Sequence, residues 1–172
     1  LLGIPMTESR TRAILDRFQD LNILVVGDFF LDEYLVTEPA LCETSIETGL
    51  DAYQVVERRC SPGAAGTVTN NLSDLGIGTI RALSVIGDDG NGFELSRGLV
   101  ASGVDVSDLL ETETRFTPTY TKPMVREAAG ERELNRLDIK NRATMPADIE
   151  ETLVTRLARL RPDANGVMVS GQ

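Results

Sequence analysis

The stretch "NILVVGD", residues 22–28, constrains the fold more than any other part of the sequence. It is a short, almost entirely apolar run that ends in turn residues, Gly27 and Asp28. Such a run indicates a strand buried on both faces, which is the usual state of a strand in a parallel sheet. The run "TIRALSVIG" at 79–87 has the same character, and the turn "DDGNG" follows it. We therefore expect both segments to be buried strands of one sheet.

Amphipathic helices are predicted before, between and after these strands, because apolar residues recur there at helical spacing. The predicted helices lie at residues 7–21, 93–103 and 145–163, with a further one that carries Val68, Leu72 and Leu75 on one face and stops at Gly76. The alternation of buried strands with amphipathic helices predicts an α/β fold with a mainly parallel sheet.

Two regions do not follow this alternation. Polar residues interrupt the apolar ones in residues 34–60, which we interpret as an excursion from the main sheet, a small β flap. The segments "RFTPTYTKPMV" at 115–125 and "ERELNRLD" at 131–138 have strand character and surround "REAAG", a plausible hairpin turn. These regions predict a second, smaller sheet.

The two ends of the sequence suggest a longer protein. The chain starts at Leu1 rather than at a methionine, and it ends in "GVMVSGQ", a strand with no helix after it to cover it. A sheet that is cut at this point would expose an apolar edge and face. We therefore expect a truncated fold, with self-association or a partly disordered carboxyl end.

Composition excludes several functional classes. With 27 acidic and 17 basic residues, the net charge is −10, which opposes general nucleic-acid binding. The absence of histidine excludes Ser-His and Cys-His catalysis and argues against a zinc enzyme. The two cysteines make no disulfide framework, and the sequence has neither a membrane-length apolar run nor a signal-peptide pattern. These features predict a cytoplasmic protein without a nucleic-acid or membrane partner.

The end of the first predicted strand carries two acidic residues, Asp28 and Asp32. In open α/β sheets, ligands bind beyond the carboxyl ends of the strands. At least one of the two carboxylates could therefore accept hydrogen bonds from ligand hydroxyls, but capping of a turn or helix explains such acids equally well. The dinucleotide fingerprint G-x-G-x-x-G and the Walker pattern are both absent from the sequence.

The segment "SPGAAGTVTNN" at 61–71 leads from a predicted strand into a helix with small residues. Free backbone N–H groups at a helix N-terminus favour anionic or oxygen-rich ligands. Thr67, Asn70 and Asn71 add polar side chains on the first turns. The alternative is that the small residues only let the helix pack tightly on the sheet.

Taken together, "GDFFLD", "SPGAAGTVTNNLSDLG" and "ALSVIGDDGNG" resemble the amino-terminal half of the ribokinase-like (PfkB) carbohydrate kinases. The first signature of that family spans the region from Gly63 to Gly87, and the resemblance covers about residues 20 to 172. The segments "TPTYTKPMV" and "LNRLD" look most like the branch of ADP-heptose-pathway kinases, which phosphorylate a heptose phosphate.

The resemblance implies roles for particular residues. Asp32 matches the family aspartate that holds sugar hydroxyls, and Gly63 with Ala64 matches the glycine pair that lets the sugar approach the backbone. Thr67 stands where the family usually has asparagine, a departure that affects sugar choice or affinity. Asn71 matches a second asparagine of the heptose-kinase branch. Lys122 matches a lysine of that branch, for which a ligand phosphate and a solvated lid position are both reasonable.

The resemblance also implies an architecture and a reaction. Residues 1–172 would form one partial α/β/α sandwich, with residues 34–62 and 115–138 as segments of a β lid that often forms a homodimer contact. The intact enzyme would use ATP and Mg²⁺ to phosphorylate a sugar or sugar phosphate. Its catalytic base and ATP pocket lie in a carboxyl-terminal half with a "GAGD"-like motif, which is absent here. We expect no catalytic residue in this chain and no activity from the chain alone.

Two other interpretations stay open. One is a non-catalytic sugar-binding or scaffold protein derived from the same fold, which the threonine at position 67 favours. The other is a nucleotide-binding Rossmann module, which fits the fold class but lacks the fingerprint.

Overall fold

The computed structural model describes residues 7–171. Elements are numbered in chain order. The α-helices are α1 (Glu8–Leu15), α2 (Ala65–Asp74), α3 (Gly90–Ala101) and α4 (Ala147–Leu160). The last three confirm the sequence-based predictions, and Gly76 with its positive φ of 79° follows the end of α2.

Helix α1 is shorter than predicted. It ends at Leu15, and a 3₁₀ turn at Phe18–Asp20 follows it. The carbonyls of Phe18 and Leu21 accept hydrogen bonds from the backbone N–H groups of Gly78 and Thr79, at 3.1 and 2.9 Å. Because these contacts anchor residues 18–21 to the segment that enters another strand, the helix cannot continue through them.

A parallel sheet forms the centre of the molecule. Its strands are β1 (Asn22–Gly27), β6 (Thr79–Gly87), β7 (Val104–Thr112) and β11 (Gly166–Ser170). They lie in the order β11-β1-β6-β7, and all three pairings are parallel. The sequence analysis did not predict β7, because Asp105, Ser107 and Asp108 interrupt its apolar residues.

Successive side chains of β1 enter two different cores, as expected for a strand covered on both faces. Ile23 and Val25 face a core shared with α2, α3 and the strand that follows β1. Leu24 faces the opposite way, where it packs with Leu83 of β6 and Leu160 of α4. Helices therefore cover both faces of the sheet, and the predicted α/β/α sandwich with a mainly parallel sheet is confirmed.

A second sheet stands beside this sandwich. Its strands are β2 (Phe29–Thr37), β5 (Val55–Ala64), β8 (Thr119–Glu127), β9 (Gly130–Glu133) and β10 (Leu137–Ile139). Their order is β10-β8-β2-β5, and β9 pairs with β8. The short strands β3 (Glu43–Thr44) and β4 (Asp51–Ala52) form a separate hairpin within the flap.

The boundaries of this second sheet differ from the expected ones. Its central strand β2 starts at Phe29, almost directly after β1, and not at residue 34. Strand β5 continues to Ala64, and α2 starts at Ala65, so that "SPGA" is the end of a strand and not a loop. Residues 34–62 and 115–138 do contribute strands to this sheet.

The helices of residues 7–171 are too short or too polar to span a membrane.

Candidate functional site

One face of the second sheet collects polar and aromatic side chains. Alternate residues of a strand point to the same face, and residues paired across strands share it. Asp32 of β2 is paired with Tyr120 of β8, and Tyr34 is paired with Lys122. Phe30 lies two residues before Asp32 on the same strand. We call the face with Phe30, Asp32, Tyr34, Tyr120 and Lys122 the site face.

Asp32 and Lys122 meet on the site face. The Lys122 ammonium donates to Asp32 Oδ1 at 2.6 Å and to the Tyr34 hydroxyl at 3.0 Å, and it lies 4.5 Å from the centre of the Tyr34 ring. The lysine side chain is 17% exposed and the aspartate 21%. Burial lowers the pKa of Lys122, but its hydrogen bonds to Asp32 and Tyr34 outweigh burial and raise that pKa above the usual value.

Two aromatic rings lie beside this ion pair. The rings of Phe30 and Tyr120 make an edge-to-face contact with centroids 4.6 Å apart. The guanidinium of Arg136 and the ammonium of Lys140 lie 4.8 and 5.0 Å from the centre of the Tyr120 ring. Asp138, which is paired with Tyr120 across the strands, forms ion pairs with both of these basic residues. The site face thus combines an aromatic surface with two acidic and several basic groups.

Gly63 and Ala64 lie at the end of β5, opposite Phe30 and Phe29. A Cβ atom at Gly63 would lie 2.0 Å from the ring of Phe30, so the glycine makes room for that ring. Ala64 has a φ of 46° and a ψ of −110°, a conformation that favours glycine. The ring of Phe30 therefore occupies the space beside Gly63. The family resemblance implies that a sugar would approach the backbone through this space.

Thr67 and Asn71 both lie on α2, one turn apart, and both are solvent-exposed. Within the part of the chain that the structure describes, no hydrogen bond joins either side chain to Asp32 or Lys122. Thus Asp32 and Lys122 come together, Gly63 lies one strand away, and the two polar residues of α2 make no hydrogen bond with that pair. The role of each in binding stays a prediction.

A cavity lies between the site face and the carboxyl end of the parallel sheet. Two adjoining recesses of about 380 Å³ each share Asp28, Arg115, Pro118 and Asn141 in their walls, and one of them reaches Tyr120. This is within the size range of small-molecule sites. Partial burial raises the pKa of Asp28 above its ordinary value, and the positive charge of Arg115 opposes that shift.

Hydrogen bonds fix the wall of this cavity. The side-chain amide of Asn141 accepts from the Phe116 N–H at 3.0 Å and donates to the Phe116 carbonyl at 2.7 Å. The Arg115 guanidinium donates to the carbonyls of Ala143 and Thr144. Sequence reasoning missed Arg115 and Asn141 as site residues, because neither stands in a recognisable motif.

The start of β8 is held to the end of β6. Asp89 caps α3 through the Gly92 N–H at 2.7 Å, and its second carboxylate oxygen accepts from the Thr117 N–H at 2.9 Å. The buried Thr117 hydroxyl accepts from the Gly87 N–H at 2.9 Å. These bonds set the position of β8, and with it that of Tyr120 and Lys122, relative to the parallel sheet.

The site face suits a polyhydroxylated ligand. A carboxylate and an ammonium can bind hydroxyl groups, while aromatic rings can cover the apolar C–H faces of a sugar ring. The sequence analysis also missed Tyr34 and Tyr120. Strand alternation could have identified both, since each lies two residues from a residue already chosen, Asp32 or Lys122.

The side chains present do not fit a resident metal site. Among residues 7–171, no group of three or more Cys, Asp or Glu side chains is arranged to hold a metal ion. The nearest acid to the cavity, Asp28, stands next to the positive charge of Arg115. This result concerns a metal held by the protein alone, because the Mg²⁺ that accompanies ATP is usually bound by one or two carboxylates together with the phosphates of the nucleotide.

The fold is that of the amino-terminal part of ribokinase-like sugar kinases. Phosphofructokinase-2 from Escherichia coli superimposes with a TM-score of 0.58 at 17% identity, over 88% of this chain and 44% of that one. A carbohydrate kinase from Agrobacterium tumefaciens gives a TM-score of 0.51 at 23% identity, over 69% of this chain and 35% of that one. At these identities the likeness concerns the fold.

Sequence similarity leads to a particular group of proteins. The chain is 32% identical over 165 residues to the bifunctional protein HldE of Geobacter metallireducens, and 30% identical to that of Geotalea uraniireducens. Both alignments cover 96% of the chain but only 32% of the relative, so the chain spans about a third of these proteins. No protein-family model matches. The resemblance to the amino-terminal half of ribokinase-like carbohydrate kinases is confirmed.

Proposed function

We propose that this chain binds a sugar or sugar phosphate and, within the complete protein, presents it for ATP-dependent phosphorylation. The observation that carries the proposal is the convergence of Asp32, Lys122 and Tyr120 on one face of the second sheet, beside a cavity of suitable size. Similarity to the HldE proteins and the fold of sugar kinases support the same conclusion.

The residues of the chain would act by binding and orientation. The Asp32 carboxylate accepts hydrogen bonds from ligand hydroxyls, and the Tyr120 ring covers part of the sugar. Contact of the ligand with the backbone at Gly63 would require the Phe30 ring to turn away from the glycine. Accurate placement of one hydroxyl group lowers the barrier to its reaction, because it removes the entropy cost of orientation from the chemical step.

A heptose phosphate is the substrate class that we favour. The segments "TPTYTKPMV" and "LNRLD" resemble the heptose-kinase branch, and they contribute Tyr120, Lys122 and Arg136 around the site face. ATP with Mg²⁺ would supply the phosphoryl group. We assign no catalytic step to this chain and expect it to be inactive alone, because the family resemblance implies a catalytic base outside these residues and the chain spans about a third of the HldE proteins it matches.

The test uses the product of the complete gene in an ATP-dependent phosphorylation assay with a panel of sugars and heptose phosphates. We expect turnover with at least one compound, and a large loss of activity in Asp32→Asn. The control is Glu127→Gln, which removes a carboxylate from an exposed ion pair of the same sheet. No turnover with any compound, together with unchanged ligand binding by Asp32→Asn, would refute the proposal.

A non-catalytic sugar-binding or scaffold protein is the second candidate, favoured by the threonine at position 67. The gene beyond Gln172 distinguishes the two. A continuing reading frame with a glycine-rich G-x-G-D motif supports the kinase, whereas a stop codon supports the binding protein. In the second case, sugar binding without turnover is the expected result.

The flap is the surface that we assign to a homodimer. Exposed apolar side chains lie close together in the sequence there: Leu41, Ile46, Leu50, Tyr53, Val55 and Val56. Sedimentation equilibrium of Leu50→Lys and Val169→Lys tests this assignment, because Val169 is an exposed residue of β11, in the other sheet. Only Leu50→Lys should shift the protein towards the monomer. Dissociation by Val169→Lys alone would instead indicate association through β11.

A further inference from the structure

We propose that Lys122, supported by Tyr34, is a positioning residue that holds the Asp32 carboxylate for ligand hydroxyls, and that it does not bind a phosphate of the ligand. This inference rests on the proposed function. It concerns the role of the lysine within the site, for which the sequence alone allowed a phosphate contact or a solvated position.

The contacts already made by the ammonium group carry the argument. Lys122 donates to Asp32 at 2.6 Å and to the Tyr34 hydroxyl at 3.0 Å, so two of the three N–H donors of the ammonium are in use. The Tyr34 ring lies against the same ammonium group. The lysine is therefore held in one place by three contacts and is not a mobile lid residue.

Charge argues against a phosphate at this point. Asp32 and Lys122 together are neutral, and the carboxylate lies within hydrogen-bond distance of the ammonium. A phosphate that approached Lys122 would also approach the negative carboxylate, in a place where both side chains are largely shielded from water. The pair thus favours neutral hydroxyl groups over an anion.

The carboxylate keeps the capacity to bind a ligand. A carboxylate offers about four acceptor positions, so an ammonium on Oδ1 leaves room for hydroxyl donors. The parallel pairing of β2 with β8 places Tyr34 opposite Lys122, and the lysine reaches back to Asp32. The tyrosine and lysine thereby fix the direction in which the carboxylate faces, which is the property required of a residue that selects sugar hydroxyls.

The experiment compares D-sedoheptulose 7-phosphate with D-sedoheptulose as probes, by calorimetry without ATP on the product of the complete gene and on its Lys122→Met variant. A positioning role predicts that the variant loses affinity for both compounds by the same factor, about 10- to 100-fold. Tyr34→Phe should lose affinity for both by a smaller, common factor. The control Arg132→Met removes a cation from the exposed Arg132–Glu127 pair and should change neither.

A second measurement follows the ion pair without any ligand. In an NMR titration of the lysine side chains, Asp32→Asn and Tyr34→Phe should each lower the pKa of Lys122, because the first removes the negative charge beside its ammonium and the second removes a hydrogen-bond acceptor. Lys140, whose ammonium pairs with Asp138 at 3.2 Å and has no hydrogen bond to Tyr34, should titrate as before in Tyr34→Phe.

The outcomes separate this inference from the proposed function. If the wild type binds both compounds and Lys122→Met weakens only the phosphorylated one, the positioning role is wrong while the proposed function stands. An unchanged Lys122 pKa in Asp32→Asn overturns the inference as well. If the wild type binds neither compound, although the pKa of Lys122 falls in Asp32→Asn and Tyr34→Phe as expected, both the positioning role and the heptose assignment are wrong.

Discussion

Replacing Ala64 with glycine should make the folded protein more stable. Ala64 links β5 to α2, and the chain turns from strand to helix at this one residue with a φ of 46° and a ψ of −110°. The neighbouring contacts hold it there, since Ala64 pairs with Phe29 and the Ala65 N–H donates to the Asp28 carbonyl at 3.1 Å. Because a side chain disfavours this backbone conformation, the alanine is strained.

The expected size of the effect is a difference between two costs. A residue held in such a conformation costs about 1–3 kcal/mol. Glycine removes that strain but makes the unfolded chain more flexible, which costs about 0.5–1 kcal/mol. Ala64→Gly should therefore raise the free energy of unfolding by about 0.5–2 kcal/mol. With a urea dependence of about 2 kcal/mol/M, the midpoint of urea unfolding should rise by about 0.2–1 M.

Urea unfolding followed by far-ultraviolet circular dichroism measures this shift. Ala158→Gly is the matched control, because Ala158 lies in α4 in ordinary helical conformation. There the same substitution should lower the free energy of unfolding by about 1 kcal/mol. A midpoint of Ala64→Gly equal to or below that of the wild type would show that the backbone at position 64 is not strained in solution.

Three further changes test other parts of the structure. Gly63→Ala should lower the free energy of unfolding by about 1–3 kcal/mol, because the new Cβ would overlap the ring of Phe30. In urea unfolding, the double variant with Phe30→Leu should recover part of that loss. If the losses of the two single variants simply add in the double variant, the contact is contradicted. Asp108→Asn should lower the free energy of unfolding by about 1–2 kcal/mol and speed hydrogen exchange in α4, since the buried Asp108 carboxylate accepts a hydrogen bond from the Arg159 guanidinium at 2.5 Å. Unchanged hydrogen exchange in α4 would count against a role of this bond in holding the helix. Burial raises the pKa of Asp28, so the folded state holds this proton more tightly and the group reduces stability as pH rises from about 4 through the folded pKa. Asp28→Asn should therefore be more stable than the wild type at pH 7 and equal to it at pH 3, and a constant difference across that range would refute the shift.

The period of the apolar residues predicted most of the fold. Strands β1 and β6 lie where continuous apolar runs predict them, because a strand covered on both faces has no polar side to interrupt it. The same rule explains why β7 was not predicted, because it is an edge strand with polar residues in its first half. Helix α1 ends early because residues 18–21 bond to the chain near Thr79, a contact that no local pattern reveals.

The candidate site was predicted less completely than the fold. The sequence contained Asp32 and Lys122 as separate candidates, each with an ordinary alternative explanation. Their positions differ by 90 residues, and only the parallel pairing of β2 with β8 brings them to 2.6 Å. Arg115 and Asn141, which line the cavity, belong to no recognisable sequence motif.

The alternating strands and helices, the class of fold and the kind of side chains available for binding could thus be predicted from the sequence. These properties depend on local periodicity and composition, which a chain carries before it folds. Only the folded chain brings Lys122 to Asp32 and places Phe30 over Gly63. Such contacts depend on strand register and on the path of the backbone between distant residues, and a shift of register by one residue would move Lys122 to the opposite face of its sheet.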